Sequence, residues 1–414
     1  MSQRDSIGGN MKFTVTSSEL INAINKVIGV TPTRSTLPIL GNIFMDLTGN
    51  ELTLIGSDLE VYVKAVINVK GKENGSVAVP AKKLETLIQN LQGKELNIEL
   101  QQNYKLTIKT KGGRWHITGE DPNDFPLPAE IENAKSIDLD NKLLCRYLSK
   151  AVHAASQDEL RRSMNGVYFE ISSGEFRIVS TDGHRLVRIK RYNFDYDGDK
   201  TSMLVPIKTC QMMIKLFRSS IVKAAEIKTN GEENLDGTTE TSDNEPSQNV
   251  NILFSTEFIQ CSYNNVTITS RLIDDTFPNY ESVIPTDNER HLTVEKQALL
   301  GSIKRSIIMS DQVTNRTSML ITEKELKVKA SNNEFGTDSE EVIDCEFISD
   351  VEITDTEDFE ISFNGKYLLD AVQQFDSVEI KFNFSTPLKA SILQPTEQSE
   401  DEDMIMLVMP VRNI

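Results

Sequence analysis

The chain of 414 residues is poor in cysteine, histidine and tryptophan, and it holds no long apolar run. Its four cysteines, Cys145, Cys210, Cys261 and Cys345, are scattered without a CxxC pair. That spacing argues against a disulfide framework and a zinc site and fits a reducing, cytoplasmic setting. Neither metal nor cofactor is expected. No apolar stretch approaches the roughly 20 residues of a membrane span, so no membrane partner is expected. The first ten residues, MSQRDSIGGN, lack the apolar core of a signal peptide and read as an extension ahead of the fold. GxSxG, HExxH, Walker and Rossmann signatures are missing too. Asp182 and His184 could suggest an acid–base pair, yet nothing accompanies them. No catalytic residue is assigned, and the chain reads as a non-enzyme.

Base is scarce relative to acid: 44 Lys and Arg against 62 Asp and Glu, a net charge of −18. The sum alone argues against nucleic acid, because phosphate contacts need cations. Distribution matters more than the sum. Residues 229–249, TNGEENLDGTTETSDNEPSQN, are acidic without a single base and read as a solvated insertion.

What the chain does have is repetition. A strand, a short turn ending in Glu plus an apolar residue, and a second strand occur three times. The aligned pairs are Glu51-Leu52, Glu175-Phe176 and Glu325-Leu326. Each copy opens with a strand and a helix: FTVTSSELINAINKVIGV, IDLDNKLLCRYLSKAVHAA and LTVEKQALLGSIKRSIIMS. Each has a later strand-to-helix junction: VAVPAKKLETLIQNL, MLVPIKTCQMMIKLF and ISFNGKYLLDAVQQF. A spacing of roughly 125 residues is domain-sized, beyond the 20–50 of a solenoid unit. The copies divide the chain into 11–132, 133–288 with the insertion 229–249, and 289–414.

Apolar residues in the first helix, Leu20, Ile21, Ile24, Val27 and Ile28, fall on one stripe. Thr16 or Ser17 could cap it. Strand residues Ile43, Met45 and Leu47 alternate with polar ones, as half-buried antiparallel strands do. The expected class is α+β, two helices packed on antiparallel sheet in each of three repeated domains. Lys26, Lys82, Lys83, Arg146, Lys150, Lys208, Lys215, Arg218, Lys304, Arg305 and Lys366 lie on or beside these helices. They are either a solvated polar face or a concentration of positive charge that touches phosphates without reading sequence.

MKFTV, TLPILGN, VPAKK, TDGHRL, FPNYESVIP and the terminal MPVRN together resemble the bacterial DNA polymerase III β subunit, the β sliding clamp. The resemblance runs from Met11 to Ile414 with the motifs in family order. It implies three clamp domains per chain and two chains closed head to tail into a six-domain ring around double-stranded DNA. It implies a processivity factor without catalysis. Its partners would be the polymerase α subunit, the clamp loader, and other polymerases and repair proteins carrying a clamp-binding peptide.

Carried over residue by residue, the resemblance places a partner-peptide pocket at Met164, Thr181, Gly183, His184, Arg185, Leu186, Pro278 and Val283. Its other wall would hold Asn364, Tyr367, Pro387, Lys389, Leu407, Met409, Pro410, Val411 and Arg412. Candidate DNA contacts are Arg34, Lys82, Lys83, Gln157, Arg161 and Lys208. The strand RWHIT would form the dimer edge, with Trp115 and Ile117 facing Ile308 and Met309 of the second chain. The family's aromatic pair before Asn165-Gly166 is missing, Arg162 and Ser163 standing near there, and Val411 replaces a commoner Met. The competing reading is a repeat scaffold that binds proteins but no DNA.

Overall fold

The first strand-to-helix junction of each copy is built the same way. Strand Lys12–Thr16 leads into helix α1 (Ser17–Val27), and Thr16 caps it in a capping box with Glu19. Before helix α3 (Asn141–Ala151), the Asp140 carboxylate accepts from the Leu143 amide at 2.8 Å. Before helix α5 (Lys296–Met309), Glu295 accepts from the Gln297 and Ala298 amides. Each cap satisfies amides that the first helical turn leaves without partners. The computed structural model describes residues 10–229, 249–350 and 359–411. Residues 1–9, insertion residues 230–248 and Arg412 lie outside that description.

Helices α2 (Ala81–Gln89), α4 (Ile207–Thr229) and α6 (Gly365–Gln373) follow Pro80, Pro206 and Asn364. Their stripes enter the core: Leu84 and Ile88, Met213 and Phe217, Leu368 and Val372 are all fully buried. The repeated hairpins also match. Leu47 lies opposite Leu52, Ile171 opposite Phe176, and Ile321 opposite Leu326, and all six are buried. Burying a side chain of this size contributes about 2 kcal/mol.

Two compact units form, one running to Cys145 with Gln211–Leu272, the other Arg146–Cys210 with Ile273–Ile414. The first unit holds a five-stranded sheet ordered Lys70–Glu73, Lys12–Thr16, Glu95–Gln101, Lys105–Thr110, Gly113–Thr118. It also holds an eight-stranded sheet in which Val61–Asn68 of the first copy pairs with Val266–Arg271 of the second. The second unit has one twelve-stranded sheet, where Arg185–Phe194 of the second copy pairs with Glu402–Val408 of the third. In these two seams Val63 lies opposite Ile268, and Val187 opposite Met406. Among the described residues all strand pairs are antiparallel, in keeping with the three-domain α+β clamp fold.

The simple alternation expected of strand Asn42–Thr48 does not hold. Phe44 is buried as well as Ile43 and Met45. Helices cover one face of this strand, and Phe125 covers the other, its ring 5.7 Å from that of Phe44. A strand covered on both faces reads as a continuous apolar run.

Candidate functional site

The segment after each copy's last strand decides where a groove can form. In the first copy it brings Phe125 onto Phe44, Ile55 and Ala78, with Tyr62 packed beside them. In the second copy it brings Phe277 and Tyr280 onto Val179, Leu186, Leu204 and Leu407. The two clusters occupy equivalent positions. Phe44 corresponds to Tyr168, Ile55 to Val179 and Ala78 to Leu204, as their cross-strand partners require. Tyr168 stacks on Phe277 at 4.7 Å with the rings nearly parallel. In the third copy the same three positions are Ser318, Lys329 and Ser362, and the face is polar.

The second copy's cluster opens into a groove, and side-chain identity explains it. Leu186 stands where the first copy has Tyr62. Leu407 and Met409 stand where the adjoining strand of the first seam has Thr269 and Arg271. Tyrosine gives way to the smaller leucine, arginine to the uncharged methionine, and threonine to the apolar leucine. A cavity of about 110 Å³ results, lined by Met164, Thr181, Gly183, His184, Arg185, Leu186, Pro278, Asn279, Tyr280, Val283, Leu407 and Met409. It is mostly apolar with a few polar groups at the edge, the chemistry of a ligand groove.

The turn TDGHR that forms one wall is held rigidly. The Asp182 carboxylate accepts from the His184 and Arg185 amides at 2.9 and 3.0 Å and from Arg185 Nε at 3.0 Å. Thr181 Oγ1 donates to the Arg185 carbonyl and accepts from the Gly183 amide. Gly183 has φ +88°, a left-handed conformation suited to glycine. Asp182 thus positions backbone and Arg185 and does not pair with the His184 ring. Arg185 reaches the Asp370 carboxylate at 2.6 Å and lies over the Tyr367 ring at 4.6 Å. The His184 ring stacks on Tyr367 at 6.0 Å. The Met409 amide donates to the His184 carbonyl at 2.8 Å, which ties the third copy's last strand to the turn.

Beneath this wall His153 is largely buried. Burial, and then the charge of Arg185, push its pKa down to about 4. Tyr280 is anchored below the groove. Its hydroxyl accepts from Arg177 at 3.2 Å and donates to Glu170 at 3.4 Å. Burial pushes that hydroxyl up to about 12, so it stays protonated.

The remaining pocket candidates stand around this groove. Tyr367 backs His184 and Arg185. Asn364 caps α6 by accepting from the Lys366 and Tyr367 amides. Lys389 pairs with Asp287 at 2.6 Å, and Pro387 is exposed. Pro410 bridges to Phe363, and the Val411 amide donates to the Ser362 carbonyl. Asn279 and Tyr280 line the groove although the sequence reading did not name them. They follow Pro278 directly in FPNYESV, and an aromatic beside an apolar motif was the available signal.

The basic helix faces carry less free charge than the sequence suggests. Lys150 is 5% exposed and pairs with Asp376 at 2.7 Å. Arg146 pairs with Glu402, Arg305 bonds both oxygens of Glu341, and Lys26 donates to Asn265. Of the DNA candidates, Arg34, Lys83, Gln157 and Lys208 are exposed. Lys82 pairs with Glu85 but keeps 83% of its side chain exposed. Arg161 turns instead to the Asp182 carbonyl and the Asp158 carboxylate. Of the dimer candidates, Ile308 is 75% and Met309 36% exposed, and Trp115 is half-buried. Ile117 is buried in the core of its own unit.

Profiles of the DNA polymerase III beta subunit match three consecutive stretches. The N-terminal domain matches residues 11–129, the central domain 138–231 and the C-terminal domain 281–412. The chain belongs to the DNA polymerase III beta subunit family. The beta sliding clamp of Pseudomonas putida is 28% identical over 404 residues, spanning 97% of this chain and 100% of that relative. The one from Staphylococcus epidermidis is 26% identical over 411 residues, spanning 97% and 99%. A solved sliding clamp from Pseudomonas aeruginosa bound to griselimycin superposes with a TM-score of 0.84 at 26% identity, covering 98% of this chain and 100% of that one. The Bacillus subtilis clamp has the same fold, with a TM-score of 0.84 at 22% identity over 98% and 100%. Membership of the beta-subunit family explains the threefold repetition, and the function is that of a DNA sliding clamp. Among the described residues no helix is long and apolar enough to cross a membrane.

Proposed function

We propose that two copies of this chain close head to tail into a cytoplasmic ring that encircles duplex DNA and performs no chemistry. The copies are assigned to domains 11–132, 133–288 and 289–414. Strand pairing supports closure. Each of the two seams joins a copy's fourth hairpin strand to the next copy's last strand. Among the described residues, the corresponding strands left over are Gly113–Thr118 and residues 337–344, each paired on one side only. A free sheet edge invites another strand. A head-to-tail contact that closes after two copies needs no self-complementary patch. The exposed Ile308 and Met309 lie beside that edge on α5 and would meet Trp115, with Ile117 backing it.

Charge suits sliding. Lys82, Lys208 and Lys366 occupy the same first-turn position of α2, α4 and α6, where the helix dipole disfavours a cation. A lysine held there in every copy against that preference points to a use for its charge, and DNA phosphate is the matching partner. The net charge of −18 repels free DNA, so threading requires a loader. Tethering then works through effective concentration, because a linked polymerase rebinds before it diffuses away.

The groove of the second unit is the docking site for a short apolar peptide of the polymerase α subunit, the loader and repair proteins. The observation that carries this is the replacement of Tyr62, Thr269 and Arg271 by Leu186, Leu407 and Met409 at one seam only. Competition tests it: peptides from the cognate polymerase and loader subunits should displace one another from the chain. Simultaneous binding of both at saturation would refute a single shared groove.

A further inference from the structure

The two internal seams share one register, and this fixes the register of a third. The equivalences are set by pairing within each copy. Ile98, Ile252 and Phe382 each face a first-strand residue: Phe13, Ile137 and Leu292. On their other side they face Ile108, Cys261 and Leu393. Those in turn face Trp115, Ile268 and Met406 on the three last strands. In the hairpins, Gly56, Ser180 and Ala330 face Val63, Val187 and Ser339. Ile268 lies opposite Val63, and Met406 opposite Val187. The free edges therefore align Trp115 opposite Ser339 of a second copy.

Side-chain direction agrees with that register. Glu341 bonds Arg305 of α5, so residues 339 and 341 point to the helix side. Ile117 is buried and Trp115 half-buried on the core side of their strand. Their neighbours Arg114 and His116 share the opposite face, as do Asp338 and Glu340.

We infer that the ring seam sets Arg114 opposite Glu340 and His116 opposite Asp338, so that protonation of His116 tightens the association of two copies. The inference rests on the dimeric ring proposed above and adds its register and its regulation. Residues directly opposite in an antiparallel pair are close enough for opposite charges to attract. In the internal seams the counterparts of the His116–Asp338 pair are Thr269–Tyr62 and Leu407–Leu186, which carry no charge. The proton dependence is thus specific to the seam between copies.

Every charged group facing His116 enters the argument. On its own strand stands Arg114, and on the neighbouring strand Lys105 and Lys109, with Thr107 Oγ1 2.9 Å from Nδ1. Lys109 is partly neutralised by Glu99 at 2.7 Å. From the second copy come Asp338 and Glu340, with Lys329 and Lys327 on the strand beside them; Lys329 pairs with Glu340 at 2.9 Å and partly neutralises it, which leaves Asp338 as the carboxylate that counts. In the free chain desolvation, and then the cations Lys105, Arg114 and Lys109, hold the His116 pKa below its ordinary value. Asp338, directly opposite, raises it on association. A group whose pKa rises on binding strengthens the complex below its free value, and the gain is lost as pH climbs through the bound value. The seam therefore tightens on acidification through the histidine range. One opposite-charge pair contributes about threefold per seam, and two seams per ring give about tenfold.

The test is sedimentation equilibrium of the full chain from pH 5.5 to 8.5. The dimer dissociation constant should rise about tenfold across that range. H116Q and D338N should both flatten the profile at the alkaline value, and H116K should flatten it at the tighter one. A dimer whose affinity ignores pH, or a slope retained in either neutral variant, overturns this inference and leaves the ring intact. A chain monomeric at every pH overturns the ring and the inference together. D338N lies on an exposed strand position, so it stays informative if a His116 variant fails to fold.

Discussion

Truncating Met409 to alanine isolates the groove from the fold. Its amide, bonded to the His184 carbonyl, is kept, and 39% of the residue is exposed toward the groove. A bound peptide that covers this exposed area, roughly 70 Å² at about 25 cal/mol per Å², gains about 2 kcal/mol. Losing most of that weakens binding about tenfold. The matching change at Leu407 is less informative, because Leu407 is 2% exposed and its removal opens a cavity costing about 2–5 kcal/mol of stability. Fluorescence polarisation with a labelled peptide of the cognate polymerase, beside a thermal melt, reads both quantities. M409A should bind about tenfold more weakly, with stability lowered by about 1–2 kcal/mol for the part of the side chain the fold covers. Leu388→Ala, at an exposed position outside the groove lining, is the control and should bind normally. Wild-type affinity in M409A would falsify the groove as the peptide site.

Other outcomes follow from the same structure. Lys82→Ala with Lys208→Ala removes two cations from each of the two copies and should lower the salt slope of loaded-clamp retention on DNA by up to about four, leaving peptide binding unchanged. Thr16→Ala removes the side-chain half of a capping box, the Oγ1 that accepts from the Glu19 amide, and should cost about 1 kcal/mol in denaturant unfolding. His153 is held near 4 in the fold against an ordinary value of about 6.5 when unfolded, so the unfolded chain takes up the proton first. Stability present above about pH 6.5 should therefore fall toward pH 4, and H153Q should lessen that loss in melts across the range. Burial raises the Cys145 and Cys345 thiols to about 11 and Cys210 higher still, so native alkylation at pH 8 should be slow at all three.

Local chemistry was the readable part of the sequence. Thr16, the Glu-apolar hairpin turns and the helical stripes each act over a few residues, and their repetition at one spacing marked three copies. Long-range pairing was not readable. Nothing in the sequence alone aligns Val187 with Met406, and those pairings decide where a groove opens. The same distance hid the ion pairs: Arg146 and Glu402 are 256 positions apart, and Lys150 and Asp376 226. Residues that read as a free basic face are thus partly consumed inside the second unit. Asn279 and Tyr280 went unnamed because Tyr280 is anchored through Arg177 and Glu170, a contact no short motif reveals. His184, Leu186 and Met409 came from family resemblance; by residue type alone they are a histidine and two apolar residues of ordinary kind.

Topology is the central claim, and retention on DNA tests it most directly. The chain is loaded by its cognate loader onto nicked circular DNA, isolated by gel filtration, and the circle is then cut with a restriction enzyme. An encircling ring stays on the closed circle and is lost when the circle is linearised. Equal retention on both forms, or equal loss from both, would mean that contact rather than enclosure holds the protein on DNA.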